Sequence, residues 1–298
     1  MPYVIFLLIC SIWGSSFILM KKASMAFTPL GVGAGRVFGG AVVLAAIWRL
    51  SRLRWTLAKR DVAPVLFVVM VGYALPYVLQ PLLVERHGSA FIAMTVSFVP
   101  LATIVVSIPW LGVWPTMRQL LGVGGGLLCM GALAADGLNR RVPPADMLLA
   151  ASVPLSYALA NCCIRRQLRR LTSLELSLGS LALTSTVLLP LACVAPGKAN
   201  ADENDLPLAV FSLVVLGVLG TGLGTYLFNK LIREQGPLFA GMVTYLVPIA
   251  ALAWGWIDQE KVTTLQLAAL AGVLAMVAVV QVGAAATAVP GEEITCAD

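Results

Sequence analysis

Apolar residues run along this chain in blocks of about twenty, separated by short polar or basic turns. A helix needs roughly 20 such residues to cross the hydrocarbon core of a bilayer. The blocks predict ten crossings, at 3–22, 29–49, 62–84, 88–108, 117–135, 147–164, 174–194, 207–228, 237–257 and 264–285. The connections are short, so consecutive helices are expected to pack antiparallel. The first block ends in Lys21 and Lys22, with no charged leader and no small-residue cleavage site, and reads as a retained span rather than a signal peptide.

One stretch of the pattern occurs twice. Gly72 to Pro100 shifted by 148 residues lands on Gly220 to Pro248, and nine of the 29 positions then match, among them Gly72/Gly220, Gly88/Gly236, Phe91/Phe239, Met94/Met242 and Pro100/Pro248. Apolar bias alone does not place a Gly, a Phe, a Met and a Pro in fixed register. At an offset of 144 the first block of each half also aligns: Trp13 meets Tyr157, Lys21-Lys22 meets Arg165-Arg166, and Thr28 meets Thr172. Five crossings are an odd number, so a second unit of five must enter the membrane from the opposite side. The expected fold is therefore an all-α integral membrane protein, with ten transmembrane helices as two inverted five-helix repeats around a central cavity. The first unit is expected over 1–136 and the second over 146–286, with a polar cytoplasmic tail at 287–298.

Composition narrows the class. The chain is 59% hydrophobic and 11% charged, against about 25% charged in soluble domains. The formal net charge is +6, and basic residues of this kind collect in cytoplasmic loops of membrane proteins; no nucleic-acid partner is expected. With the N-terminus inside, the cytoplasmic connections hold twelve Lys and Arg residues and the opposite side seven. Both termini are accordingly expected in the cytoplasm. The six cysteines have no metal-ligand spacing, so neither a metal, a cofactor nor a disulfide framework is expected.

The polar and aromatic residues at mid-depth are the candidates for a binding site, because lipid cannot satisfy them and they tend to face the bundle interior. They are Trp13 and Ser16 in the first block; Tyr73, Tyr77 and Gln80 in the third; Met94 and Ser97 in the fourth; Tyr157 and Asn161 in the sixth; Tyr226 and Asn229 in the eighth; and Tyr245 in the ninth. Tyr73, Tyr77 and Gln80 are spaced by four and three, which puts them on one helix face. The set is rich in rings and amides and poor in charge, and suits a neutral or zwitterionic molecule with an apolar part. Pro100 and Pro248 each remove a helix hydrogen bond at mid-span, and are expected as paired flex points that gate the cavity. Arg36 is the one basic residue well inside a block. Burying it costs about 2.5–3.5 kcal/mol on insertion scales. Three roles are open to it: snorkelling outward, attracting a substrate carboxylate, or bracing a neighbouring helix. No Asp or Glu lies deep in a block, which favours movement of solute down its own gradient over a carboxylate proton relay.

Trp13-Gly14, Arg36, the Gly88…Pro100 and Gly236…Pro248 pairs and the five-plus-five layout together resemble the ten-span drug/metabolite transporter superfamily, of the kind built from two EamA repeats. Within it the chain is most similar to YddG-type bacterial amino-acid exporters. That resemblance implies a secondary transporter of the inner membrane that exports neutral and aromatic amino acids, or related small metabolites, by alternating access. The family often carries Leu-Gly-Glu after the fourth span and its counterpart; here the two copies read Leu111-Gly112-Val113 and Asp258-Gln259-Glu260. A drug or nucleotide-sugar carrier of the same fold is the alternative, although nucleotide-sugars would want more basic residues in the cavity than Arg36. An intramembrane enzyme is disfavoured, because no His/Asp/Glu cluster lies at membrane depth. The expected partners are the small-molecule substrate and membrane lipids, with the chain acting as a monomer.

Overall fold

The computed structural model describes residues 2–51, 55–112, 114, 116–139, 141–195, 197–198, 202–228, 230–231 and 243–285. The tail at 287–298 and the start of the predicted ninth block fall outside these residues. Among the described residues the fold is helical, without strands. The elements are α1 (Pro2–Ala23), α2 (Pro29–Ser51), α3 (Lys59–His87), α4 (two arms, Ser89–Val96 and Val99–Leu111), α5 (Met117–Asn139), α6 (Pro144–Gln167), α7 (Ser173–Val194), α8 (Leu206–Phe228), α9 (Val243–Ile257) and α10 (Thr264–Ala285). Eight of them, α1 to α8, are long and apolar enough to cross a membrane; α9 and α10 carry shorter apolar stretches, Leu246–Ile257 and Thr264–Met276.

Local chemistry sets several of the helix ends. Proline stands in the first turn of α6, where its missing N–H costs nothing. Thr172 caps α7, accepting from the Glu175 N–H at 3.1 Å while the Glu175 carboxylate takes the Thr172 N–H at 2.8 Å, a reciprocal capping box. α6 runs past the expected end at 164 to Gln167, because Arg165 and Arg166 suit the negative end of a helix dipole. Two stretches within the long helices widen into π-helical turns: Val68–Ala74 in α3 and Leu216–Leu223 in α8. Their first residues are 148 apart, the register of the sequence repeat.

The packing partners come in exchangeable pairs. α5 packs on α10 and α2 on α7; α1 packs on α9 as α4 packs on α6; α2 packs on the π turn of α8 as α7 packs on that of α3. Polar contacts gather helix ends in two separate places. Lys21, at the end of α1, meets Asp258, just past the end of α9, whereas Arg166, at the end of α6, meets Trp110, at the end of α4. The first cluster also gathers Arg86, His87 and Asp146. The second gathers Asp61 with Arg170 and Thr56 with Glu175. The bundle thus has two poles, one marked by Lys21 and Asp258 and the other by Arg166 and Trp110.

Glycines permit the closest crossings. α2 meets α8 backbone to backbone at Gly39 and Gly217, where a β-carbon on either would lie 3.2 Å from the other's Cα. Between apolar helices in lipid such close packing is itself the attraction.

Candidate substrate site

Arg36 is placed about two turns into α2 and is 5% exposed. It does not snorkel outward. Its Nε donates to Thr221 Oγ1 at 3.1 Å and its Nη1 approaches Met20 Sδ at 3.3 Å. The guanidinium carbon sits 4.2 Å from the centroid of the Tyr77 ring. Gly33, one turn earlier, makes this contact possible: a β-carbon there would fall 2.5 Å from the Tyr77 carbonyl oxygen, so only glycine lets α3 come so near. A desolvated cation over a ring gains up to about 2 kcal/mol, which offsets much of the cost of burying it. Among the described residues no carboxylate pairs with Arg36. The cation is held by a hydroxyl, a thioether and a ring, none of which neutralises it.

Around this cation α3 and α6 converge. Tyr73 and Tyr77 meet edge to face at 5.6 Å between centroids, as their spacing on one face requires. Tyr157 of α6 faces Gln80 and stands within electrostatic reach of Arg36, Tyr73 and Tyr77. Tyr73 faces Ser177 of α7. Tyr226 of α8 packs against the apolar cluster that contains Tyr73 and Tyr77. Asn161, one turn beyond Tyr157, is exposed. Six helices therefore contribute to one polar, aromatic cluster.

Other residues expected at the site lie elsewhere. Met94 is 2% exposed inside the main apolar core, and the Ser97 hydroxyl is spent on the Met94 carbonyl at 2.6 Å. Both belong to the packing of α4 rather than to the cluster around Arg36. Trp13 and Ser16 line the neighbouring face of α8. The Trp13 indole donates to the Gly220 carbonyl at 3.1 Å and the Ser16 hydroxyl to the Ile12 carbonyl at 2.9 Å. The indole thereby satisfies an acceptor of the π turn, as the Thr221 hydroxyl does for Leu216 at 3.2 Å. Asn229 and the side chain of Tyr245 lie outside the described residues. Pro100 follows the break between the arms of α4, whereas Pro248 sits inside an uninterrupted α9; the two prolines are not equivalent in shape. Thr221 and Met20 are contacts that periodicity along one helix cannot single out. The repeat offers a signal for the first, since Thr221 is the counterpart of Tyr73.

The Lys21 pole is tied across the chain. Lys21 Nζ reaches Asp258 at 2.6 Å and Glu260 at 2.8 Å, and Lys22 reaches Asp258 at 2.5 Å. Glu260 also accepts from the Ser89 and Ala90 N–H groups at 3.0 and 2.9 Å and from the Ser89 hydroxyl at 2.9 Å. The glutamate of the second Leu-Gly-Glu-like position thus caps the first arm of α4, where the helix dipole favours an anion. Burial raises the Glu260 carboxyl, but the Lys21 ammonium and the Ala90 and Ser89 amides outweigh it and hold the group below its ordinary value of 4.5. A pocket of about 280 Å³ opens beside this knot, lined by Lys21, Arg86, His87, Phe91, Glu260 and Lys261. Among the described residues no cluster of His, Cys, Asp and Glu is arranged to hold a metal ion.

The sequence matches the EamA-like transporter family over residues 1–133 and 145–282. Among curated relatives, an S-adenosylmethionine/S-adenosylhomocysteine transporter of Chlamydia trachomatis serovar L2 is 26% identical over 257 residues, covering 83% of this chain and 78% of that protein. The corresponding protein of Chlamydia muridarum is 26% identical over 271 residues, covering 86% and 84%. An uncharacterised transporter of Bacillus subtilis, YvbV, is 25% identical over 269 residues, covering 89% and 85%. A solved crystal structure shares the fold at a TM-score of 0.68 and 15% identity, covering 95% of this chain and 98% of that one. With both matched segments together spanning most of its length, this chain is a multi-pass membrane protein and belongs to the EamA-like transporter family.

Proposed function

We propose that this chain is a secondary transporter that exports neutral or aromatic amino acids, or metabolites built on an amino-acid end, across the inner membrane by alternating access. The observation that carries the reading is Arg36: a buried guanidinium with no carboxylate among its described partners, set against a tyrosine ring. A substrate carboxylate would complete its charge pairing, and charge-assisted bonds to guanidinium are the strong ones. The rings of Tyr77, Tyr73 and Tyr157 would take the apolar part, with Gln80 and the tyrosine hydroxyls offering hydrogen bonds to an ammonium or amide.

The transport cycle follows from two inverted five-helix units of ten crossings, 1–136 and 146–286, rocking about the cluster between them. The paired π turns and the exchangeable packing support that architecture. Both termini would lie in the cytoplasm, which puts the Arg166 pole inside and the Lys21 pole outside. The ion pairs at the Lys21 pole would then be the outer closure, broken and remade once per cycle. Pro100 and Pro248 would serve as flex points, with the break in α4 marking the first as the more mobile.

A second reading has its own support. Relatives at 26% identity are S-adenosylmethionine/S-adenosylhomocysteine transporters, and those solutes join an amino-acid end to a flat ring system. The same cluster would hold them by the same chemistry: carboxylate to Arg36, rings to the tyrosines and, for S-adenosylmethionine, its sulfonium over an aromatic face. Counterflow in proteoliposomes decides. Purified protein is loaded with aromatic amino acids, methionine, S-adenosylmethionine or S-adenosylhomocysteine, with and without a pH gradient. Exchange of carboxylate-bearing solutes that disappears in Arg36→Gln supports the reading. Exchange indifferent to Arg36, or no exchange of any of these solutes, sinks it.

A further inference from the structure

The two poles carry the same basic pair on the same helix end and differ in what faces it. Lys21-Lys22 near the end of α1 corresponds to Arg165-Arg166 near the end of α6 at the offset of 144. Asp258 and Glu260 beyond α9 correspond, at the offset of 148, to Trp110 and Gly112 at the end of α4. At the first pole Lys22 Nζ takes the Asp258 carboxylate at 2.5 Å. At the second, Arg166 Nη1 takes the Trp110 backbone carbonyl at 2.8 Å. The contact is the same; the carboxylates are gone from it.

That loss leaves charge unmatched. Arg169 donates its Nε to the Arg165 carbonyl at 2.5 Å, and among the described residues the one ion pair made by the four arginines of this segment is that of Arg170 with Asp61, at 2.7 Å. Arg166 stands in the last turn of α6 and Arg169 in the turn that follows it. Together with Pro109, Trp110 and Gly112 they line a pocket of about 450 Å³ between the ends of α4 and α6. It lies where the carboxylates stand at the other pole, and no described acid lines it. A guanidinium carries five donors in a planar fork; each of these two has spent one on a neutral carbonyl.

We propose that this pocket binds the phosphodiester headgroup of an anionic phospholipid. The helix ends place it at the level of the headgroups, with a tryptophan of the kind that collects at that interface. Basic pockets between transmembrane helices are the recurrent way such headgroups are held, and guanidinium forks match phosphate oxygens bidentately. The lipid supplies at this pole the negative charge that Asp258 and Glu260 supply at the other.

Native mass spectrometry of the full chain in detergent, with phosphatidylglycerol or phosphatidylcholine added, tests this. The wild type should retain phosphatidylglycerol and not phosphatidylcholine. Arg166→Gln/Arg169→Gln should lower that retention at least roughly tenfold, while Lys59→Gln, an exposed cation of the same pole, should not. Should the double variant fail to fold, Trp110→Asp puts the carboxylate of the other pole into this one and should displace the lipid equally. Equal retention of both lipids, or retention unchanged in these variants, overturns the proposal. Displacement of the lipid by inorganic phosphate at millimolar concentration assigns the pocket to a soluble anion and overturns the lipid assignment.

Discussion

Gly72 of α3 lies so close to Ala160 of α6 that a methyl on its Cα would meet the alanine Cβ at 2.6 Å. Its counterpart Gly220 of α8 stands in the same relation to Ser16 of α1, with 2.8 Å to the serine oxygen. The offsets of 148 and 144 map one pair onto the other. The crossings differ in what can yield. Ala160 can move only with its backbone, whereas the Ser16 hydroxyl can rotate away. Gly72→Ala is expected to destabilise the protein by about 1–3 kcal/mol, and Gly220→Ala by clearly less. Thermal unfolding of the two variants in one detergent checks the order.

Arg36 gives a test that separates binding from bracing. Breaking a buried ion pair by removing one partner leaves a stranded charge and costs about 3–5 kcal/mol. Arg36 has no described carboxylate to strand. Arg36→Gln should therefore unfold within a few degrees of the wild type while its transport of carboxylate solutes falls at least about tenfold, the size of one lost charge-assisted bond. Arg36→Lys should recover part of the rate, since a point charge lacks the fork. Melting curves set beside initial uptake rates make the comparison.

Tyr77 contributes a ring to that cation. Tyr77→Phe keeps the face under Arg36 and should retain most transport. Tyr77→Ala removes the ring and opens a cavity in the cluster, and should lose both substrate affinity and roughly 3–5 kcal/mol of stability. KM values for an aromatic and an aliphatic amino acid, measured in both variants, show whether the ring also meets the substrate.

Glu260 predicts an acid limit. Its carboxyl is held below 4.5 in the folded protein. The stabilisation is therefore complete above the ordinary glutamate range and is lost as pH falls through the lower folded value. Melting temperature should drop between about pH 5 and pH 3 in the wild type. Glu260→Gln should start lower at neutral pH, by about 1 kcal/mol as for a lost helix cap, and show a shallower acid slope. Parallel slopes in the two proteins would mean that the α4 cap carries no linked proton.

The prolines should part company. Pro100 adjoins a break between the arms of α4; Pro248 is carried within a continuous helix. Pro100→Ala lets the two arms join and should slow exchange several-fold with folded yield preserved, because a stiffened helix resists rocking. Pro248→Ala should change exchange far less. Stopped-flow counterflow on both variants reads the difference.

Much of this was legible along the chain because a membrane imposes one-dimensional rules. A span needs a minimum length of apolar residues, and the ends of most helices fall within a few residues of the blocks that predict them. The face shared by Tyr73, Tyr77 and Gln80 follows from spacing alone. Nothing in the composition around Val68 and Leu216 announces the π turns that begin there.

What the chain could not disclose is which faces meet. Arg36 had three roles open to it, and only the approach of α3 at Gly33 turned it towards Tyr77 and Thr221 rather than outward. Met94 and Ser97 look as suited to a site as Tyr157 by residue type, yet one is sealed in the core and the other bonded within its own turn. The loss of Leu-Gly-Glu after α4 could be seen in the letters, but the capping of that same helix by Glu260 from the other end of the chain could not. Length, apolarity and repeat register are properties of a segment and survive in a string. Contacts between residues 36 and 221, or 89 and 260, depend on how helices cross, and that is decided when glycines and side chains from distant segments are packed against one another.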